Sequence, residues 1–185
     1  MKHFLPIVVG LLLAGCATHP WHRSRDYSGD FVIHPEYVHP ARPGMTVGEL
    51  QHILGPDYSI LPEDVPATDH TGVRIVSTRE GEELYRIRTV GGVILTDSDV
   101  INGIIVTNTR FQTEAGLSPG DPLSKAIELY GKPSVRWNKR TRRDDVTFPG
   151  LENTRISLKL LTADGRTALR FRDAVHVGTI GIGEH

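Results

Sequence analysis

Gly116-Leu117-Ser118-Pro119-Gly120-Asp121-Pro122-Leu123, running on to Tyr130-Gly131-Lys132-Pro133, is the stretch on which the fold class turns. Asp121 ahead of Pro122 reads as a helix N-cap followed by a first helical position, where proline's missing N–H costs nothing. Leu123, Ala126, Ile127 and Tyr130 then share one face at helical spacing, and Gly131-Lys132-Pro133 ends the helix. The same grammar occurs earlier in the chain. Gly44-Met45-Thr46 places Thr46 as an N-cap, Leu50, Ile53 and Leu54 recur at helical spacing within Val47 to Leu54, and Gly55-Pro56 is the stop. Strand-like segments follow each helix. After the first come 73–78, 84–89, a Gly91-Gly92 turn into 93–96, and 100–108. After the second come 134–138, 145–148, the alternating Ile156-Leu158-Leu160, a turn at Asp164-Gly165, Leu169-Phe171, and 175–182. Helix then hairpins, twice over, predicts an α+β fold: two tandem helix-then-antiparallel-sheet modules, 44–112 and 113–185, with the helices packed on one face of the sheet.

Length and composition agree with a globular body. The 185 residues fit one domain or two small ones, and 38% apolar residues together with 19 glycines reach the usual globular share. Lys and Arg number 21 against 22 Asp and Glu, so the net charge is −1 and no global field recruits nucleic acid. The single cysteine, Cys16, excludes an intrachain disulfide and a thiolate metal cluster.

Cys16 lies at the end of a targeting segment. Lys2 and His3 give a positive start, and the apolar run Phe4 to Leu13 is interrupted only by Pro6 and Gly10. A run of that length covers ~15 Å as a helix, half a bilayer's hydrocarbon, which suits a signal-peptide core and not a membrane span. Its end, Leu13-Ala14-Gly15-Cys16, resembles the lipobox of bacterial lipoprotein precursors. The resemblance implies cleavage before Cys16, so that 1–15 is a signal peptide, and acylation of the Cys16 thiol, which attaches the chain covalently to a membrane. Ala17, where inner-membrane lipoproteins of diderm bacteria carry aspartate, implies the outer membrane, periplasmic side. Residues 17–43 carry Pro20, Pro35, Pro40 and Pro43 without helical period. With Cys16 they read as a lipidated, flexible tether, 16–43, of ~30 Å reach. Its one apolar cluster, Phe31-Val32-Ile33, is placed to dock as an edge strand.

The two helix signatures, Gly44-Met45-Thr46 with Leu54-Gly55-Pro56 and Gly116-Leu117-Ser118 with Tyr130-Gly131-Lys132-Pro133, resemble the repeat of the SmpA/OmlA small outer-membrane lipoproteins and of the β-lactamase-inhibitor-protein fold. The second copy is four residues longer between Ser118 and Gly131 than the first between Thr46 and Gly55. The resemblance implies a non-enzymatic role, binding or scaffolding in envelope assembly or maintenance, with an envelope protein as partner.

Other chemistry-bearing residues give weaker signals. Arg136, Trp137, Lys139, Arg140, Arg142 and Arg143 put five cations and an indole at a hairpin, a contact for an anionic lipid, a glycan or an acidic partner, although Asp144-Asp145 follows at once. Trp137 and Tyr58, if exposed together, would form an anchor pair for a partner. His34 and His39 are five apart around Pro35, so they lack the one-face spacing of a helical metal site. Asp97-Ser98-Asp99 reads as a turn bonding its own backbone, while Asp121 and Glu128 lie on the second helix. Gly178 to Gly183 is glycine-rich but leads into no helix, so it reads as a final strand. The mature chain holds no Gly-x-Ser-x-Gly, no Ser-x-x-Lys and no reactive thiol. The sequence therefore predicts no enzyme, no catalytic residue, no metal and no cofactor. A hydrolase built on scattered acids would need a deep pocket holding two carboxylates.

Overall fold

The computed structural model describes residues 31–63, 71–90, 95–138, 143–152, 154, 156–160, 169 and 172–183. In chain order these form β1 (Val32–His34), β2 (Tyr37–Val38), α1 (Val47–Leu54), β3 (Tyr58–Pro62), β4 (Thr71–Thr78), β5 (Glu83–Val90), β6 (Val100–Val106) and β7 (Gln112–Thr113). They continue with α2 (Leu123–Tyr130), β8 (Ser134–Asn138), β9 (Arg143–Thr147), a 3-10 turn at Pro149–Leu151, β10 (Ile156–Leu160) and β11 (Val177–Gly183).

Strands dominate, and they do not divide into two modules. Six of them make one antiparallel sheet in the order β10-β11-β6-β5-β4-β3, so the last strands of the chain lie beside β6 of the first half. This corrects the expected pair of tandem helix-and-sheet modules. Ile180 pairs with Val106 and Ile182 with Ile104, which closes the edge that β6 would otherwise leave open to solvent. The remaining strands form a small sheet, β2-β1-β7, and a separate two-stranded ribbon, β8-β9. Among the described residues, two eight-residue helices accompany them.

Period-two alternation divides the large sheet into two unlike faces. Arg74, Ile87, Ile104, Ile182 and Ile156 form one cross-strand row, and its isoleucines are all buried. Val47, Leu50 and Leu54 of α1 and Leu123 and Ala126 of α2 enter the same core. Gly103 pairs with Arg88 and Ile101 with Thr89, which leaves Asn102 as the extra residue of a bulge. That extra residue is why both Ile101 and Ile104 reach the core.

Local chemistry explains the helices. The Thr46 hydroxyl accepts from the Glu49 N–H at 3.1 Å, and the Glu49 carboxylate accepts from the Thr46 N–H at 2.8 Å, a complete capping box. Gly131 ends α2 at φ +84° and donates its N–H to the Ile127 carbonyl. Asp121 is not the cap of α2: Pro122 holds that position, and the Asp121 carboxylate turns back to the Ser118 N–H and to Lys125 at 2.8 Å.

The tether expectation fails for its second part. Residues 31–43 belong to the folded body: Ile33, Val38 and Ala41 are fully buried, β1 runs parallel to β7, and Phe31 meets Phe111 edge-on at 5.0 Å between ring centres. Three apolar side chains at that spacing can leave water only by packing, and their burial offsets the entropy of ordering the segment. Residues 1–30, including the signal segment, lie outside the described residues.

Candidate functional site

The face of the large sheet turned away from the helices carries a different set of side chains. One row crosses all six strands: Leu61, Ile75, Arg86, Ile105, Gly181 and Ser157. Beside it, Val73, Arg88, Gly103 and Gly183 form a second row, and Lys159 pairs with Thr179. Gly103 and Gly181 sit in interior strands, β6 and β11, where longer side chains would fill the face. The result is a hollow of about 260 Å³, lined by Arg86 and Arg88 from β5 and by Ser157 and Lys159 from β10.

The charges in this hollow are unequally satisfied. Arg86 donates through Nη1 to Glu63 at 2.6 Å and through Nε to Glu83 at 2.9 Å, and Thr107 Oγ1 donates to Glu83 at 3.0 Å. The Arg86 hydrogen bond holds the Glu83 carboxyl below the usual carboxylate value; partial burial opposes it and the Thr107 hydroxyl assists it. Arg86 is raised in turn, first by its bond to Glu83. Arg88 and Lys159 have no ion partner among the described residues, and Arg88 Nε is buried without a hydrogen-bond acceptor. Both acids near the hollow are thus already held, while two cations are not.

A carboxyl depressed by folding contributes stability at pH values above its unfolded pKa and loses it as pH falls through the folded one. Glu83→Gln should therefore be less stable than the parent at about pH 6, and the difference should be smaller at about pH 3, below the ordinary carboxylate value of about 4.3 and on the way down through the lowered pKa of Glu83. Urea unfolding of both proteins at the two pH values checks this; a difference that persists unchanged in acid would show that the ionised form of Glu83 is not what Arg86 holds.

Residues singled out from the sequence fall elsewhere. Cys16, with Leu13, Ala14 and Gly15, lies outside the described residues, as do Lys139, Arg140 and Arg142. Arg136 and Trp137 lie on β8 of the ribbon, both exposed, Trp137 at 52%, and Arg143 of β9 pairs with Asn138. Tyr58 is half-buried against the core, so it does not form an exposed pair with Trp137. Asp99 of the acidic turn accepts from the Thr96 N–H, three residues before it, at 2.7 Å, so the turn's side chain bonds its own backbone. Beneath that turn lies the buried Arg74, donating to the Thr96 carbonyl at 3.0 Å. The turn in turn seats α1, since the Asp97 and Asp99 carbonyls accept from the Gly48 and Val47 N–H groups. His34 stacks on Tyr37 and lies 3.4 Å from Glu114. Among the described residues no group of three or more His, Cys, Asp or Glu is placed to hold a metal ion, and no helix is long and apolar enough to cross a membrane.

Arg86, Arg88 and Lys159 were not singled out from the sequence. Their signal was period two: Arg86-Ile87-Arg88 and Ser157-Leu158-Lys159 alternate polar with apolar, which marks one wet face. No protein-family model, no curated protein and no solved structure matches the chain.

Proposed function

We propose that the protein is a lipid-anchored component of a bacterial envelope, held by an acylated Cys16 at the periplasmic side of the outer membrane, and that it works by binding or scaffolding. An envelope protein is the partner. The anchorage rests on Leu13-Ala14-Gly15-Cys16 and its apolar leader. The contact surface is the open face of the six-stranded sheet, and one observation carries that assignment. The core, α1 and α2 occupy the other face, while the open one keeps a hollow with two cations that have no ion partner among the described residues, and carries the exposed Leu61. Binding is favoured over hydrolysis because Glu63 and Glu83 are both tied to Arg86 and neither is free to act as acid or base.

A photo-crosslinking residue placed at Thr179, on the open face, should capture a partner in intact envelopes. The same residue at Glu128, on the exposed side of α2, should not. Equal capture at both positions, or none at Thr179, would contradict the assignment. A second reading, a module for an anionic lipid or glycan, rests on Arg136 and Trp137, which stand exposed on a ribbon that pairs with neither larger sheet.

A further inference from the structure

The hollow's charge narrows what can enter it. Arg86 with Glu63 and Glu83 carries a net −1, whereas Arg88 and Lys159 add +2 and have no ion partner among the described residues, leaving +1 for a ligand to neutralise. Arg88 stands on β5 in the row of Gly103 and Gly183, and Lys159 stands on β10 opposite Thr179, so the two are at diagonally opposite corners of the hollow, three strand steps across and offset along the strands, with Gly103 and Gly181 between. An oxyanion lying over those glycines would therefore be flanked by a cation on either side. Val73 and Ile105 give the same hollow an apolar flank, and Ser157 and Thr179 line it with hydroxyl donors. A half-buried guanidinium whose Nε meets no acceptor has lost water without replacement, a cost that a bound acceptor at the same group would offset.

We infer that this hollow is a carboxylate site, built by Arg88 and Lys159 over the Gly103–Gly181 floor, for a small, partly aliphatic acid or the C-terminal end of a peptide. A singly charged, planar anion matches both the net charge and the fork of an arginine. A phosphate monoester, with its second charge, would be left uncompensated here. The volume of about 260 Å³ lies just under the usual range of ligand pockets, which limits the part that enters to a few heavy atoms. The inference rests on the reading of the open face as the contact surface.

Ligand-observed NMR on the full chain in detergent tests it with butyrate, its neutral isostere butyramide, and inorganic phosphate. Butyrate should saturate with a Kd on the order of 1 mM, and butyramide should bind at least about tenfold more weakly. Arg88→Gln and Lys159→Gln should each weaken butyrate about tenfold, the size of one lost charge-assisted bond. Arg79→Gln should leave it unchanged, since Arg79 is exposed, lies near Asp57 and does not line the hollow. Lys159 is itself exposed, so its variant reports on binding even if Arg88→Gln proves unstable. Competition by trialanine but not by trialanine amide identifies a peptide end as the source, and competition by neither identifies a free acid. Equal binding of butyrate and butyramide, tighter binding of phosphate, or butyrate affinity unchanged in Lys159→Gln would overturn the carboxylate site. If those failures occur while crosslinking at Thr179 persists, the contact surface stands and the ligand class falls. If butyrate binds but Thr179 captures nothing, the partner reading falls alone.

Discussion

Phe111→Ala is expected to lower the unfolding free energy by about 4 kcal/mol, with a fall in Tm of roughly 12 °C for a chain of this size. Phe111 is fully buried and joins parts of the chain that are distant in sequence. Its ring meets Phe31 edge-on at 5.0 Å and Tyr85 of β5 edge-on at 6.2 Å. The neighbouring Gln112 N–H donates to the Phe31 carbonyl, and the Arg110 guanidinium covers the Phe31 ring at 4.1 Å. Removing the ring forfeits its transfer free energy, leaves a cavity and unpins β1 from the sheet. Hydrogen exchange should accelerate first at Ile33 and Gln112, before the large sheet is affected. A loss below about 1 kcal/mol would mean that residues 31–43 are not part of the cooperative body.

Gly48→Val is expected to cost about 2 kcal/mol, and Gly48→Ala to be close to neutral. Gly48 lies in the first turn of α1, where helix propensity alone favours replacing glycine by alanine by about 1 kcal/mol. Packing opposes it. A Cβ there would come within 3.1 Å of both the Asp97 Cβ and the Asp97 carbonyl oxygen, so the helix and the acidic turn would have to separate slightly. The turn has little room to withdraw, because Arg74 grips the Thr96 carbonyl from below and lies within 3.8 Å of Asp99. Valine's second branch exceeds what the alanine gain can offset, and separation strains the bonds from Val47 and Gly48 to the turn. Chemical denaturation of the two variants checks the ordering; a valine variant more stable than the parent would show that α1 is not seated on this turn.

Local signals were legible in the sequence, and long-range pairings were not. α1 was readable to the residue because Thr46, Glu49 and Gly55 act within a few positions of one another. β8 and β10 were readable for the same reason, through alternation and bounding turns. β3 was missed: Tyr58-Ser59-Ile60-Leu61-Pro62 is short and framed by Pro56 and Pro62, and it becomes a strand by pairing with β4. The pairing of β6 with β11 spans more than seventy residues of chain, and nothing in either segment names the other. That single pairing turned two expected modules into one sheet. It also decided the candidate site, since Gly181 and Thr179 from the end of the chain meet Arg86 and Arg88 only across β6. The polar alternation around Arg86 and Ser157 marks a wet face in the sequence; that neither α1 nor α2 covers it is a property of the assembled sheet.

The reading of this chain as an envelope-anchored binding protein depends most on the chemistry of one thiol. Intact mass measurement of the protein extracted from a diderm bacterial host, together with the same measurement on Cys16→Ser, tests it most directly. The account predicts a polypeptide beginning at residue 16 with added diacylglyceryl and acyl mass, found in the outer-membrane fraction, and a Cys16→Ser product that keeps residues 1–15 and carries no lipid. An unmodified parent chain still carrying Met1 to Gly15, recovered from the soluble fraction, would contradict it.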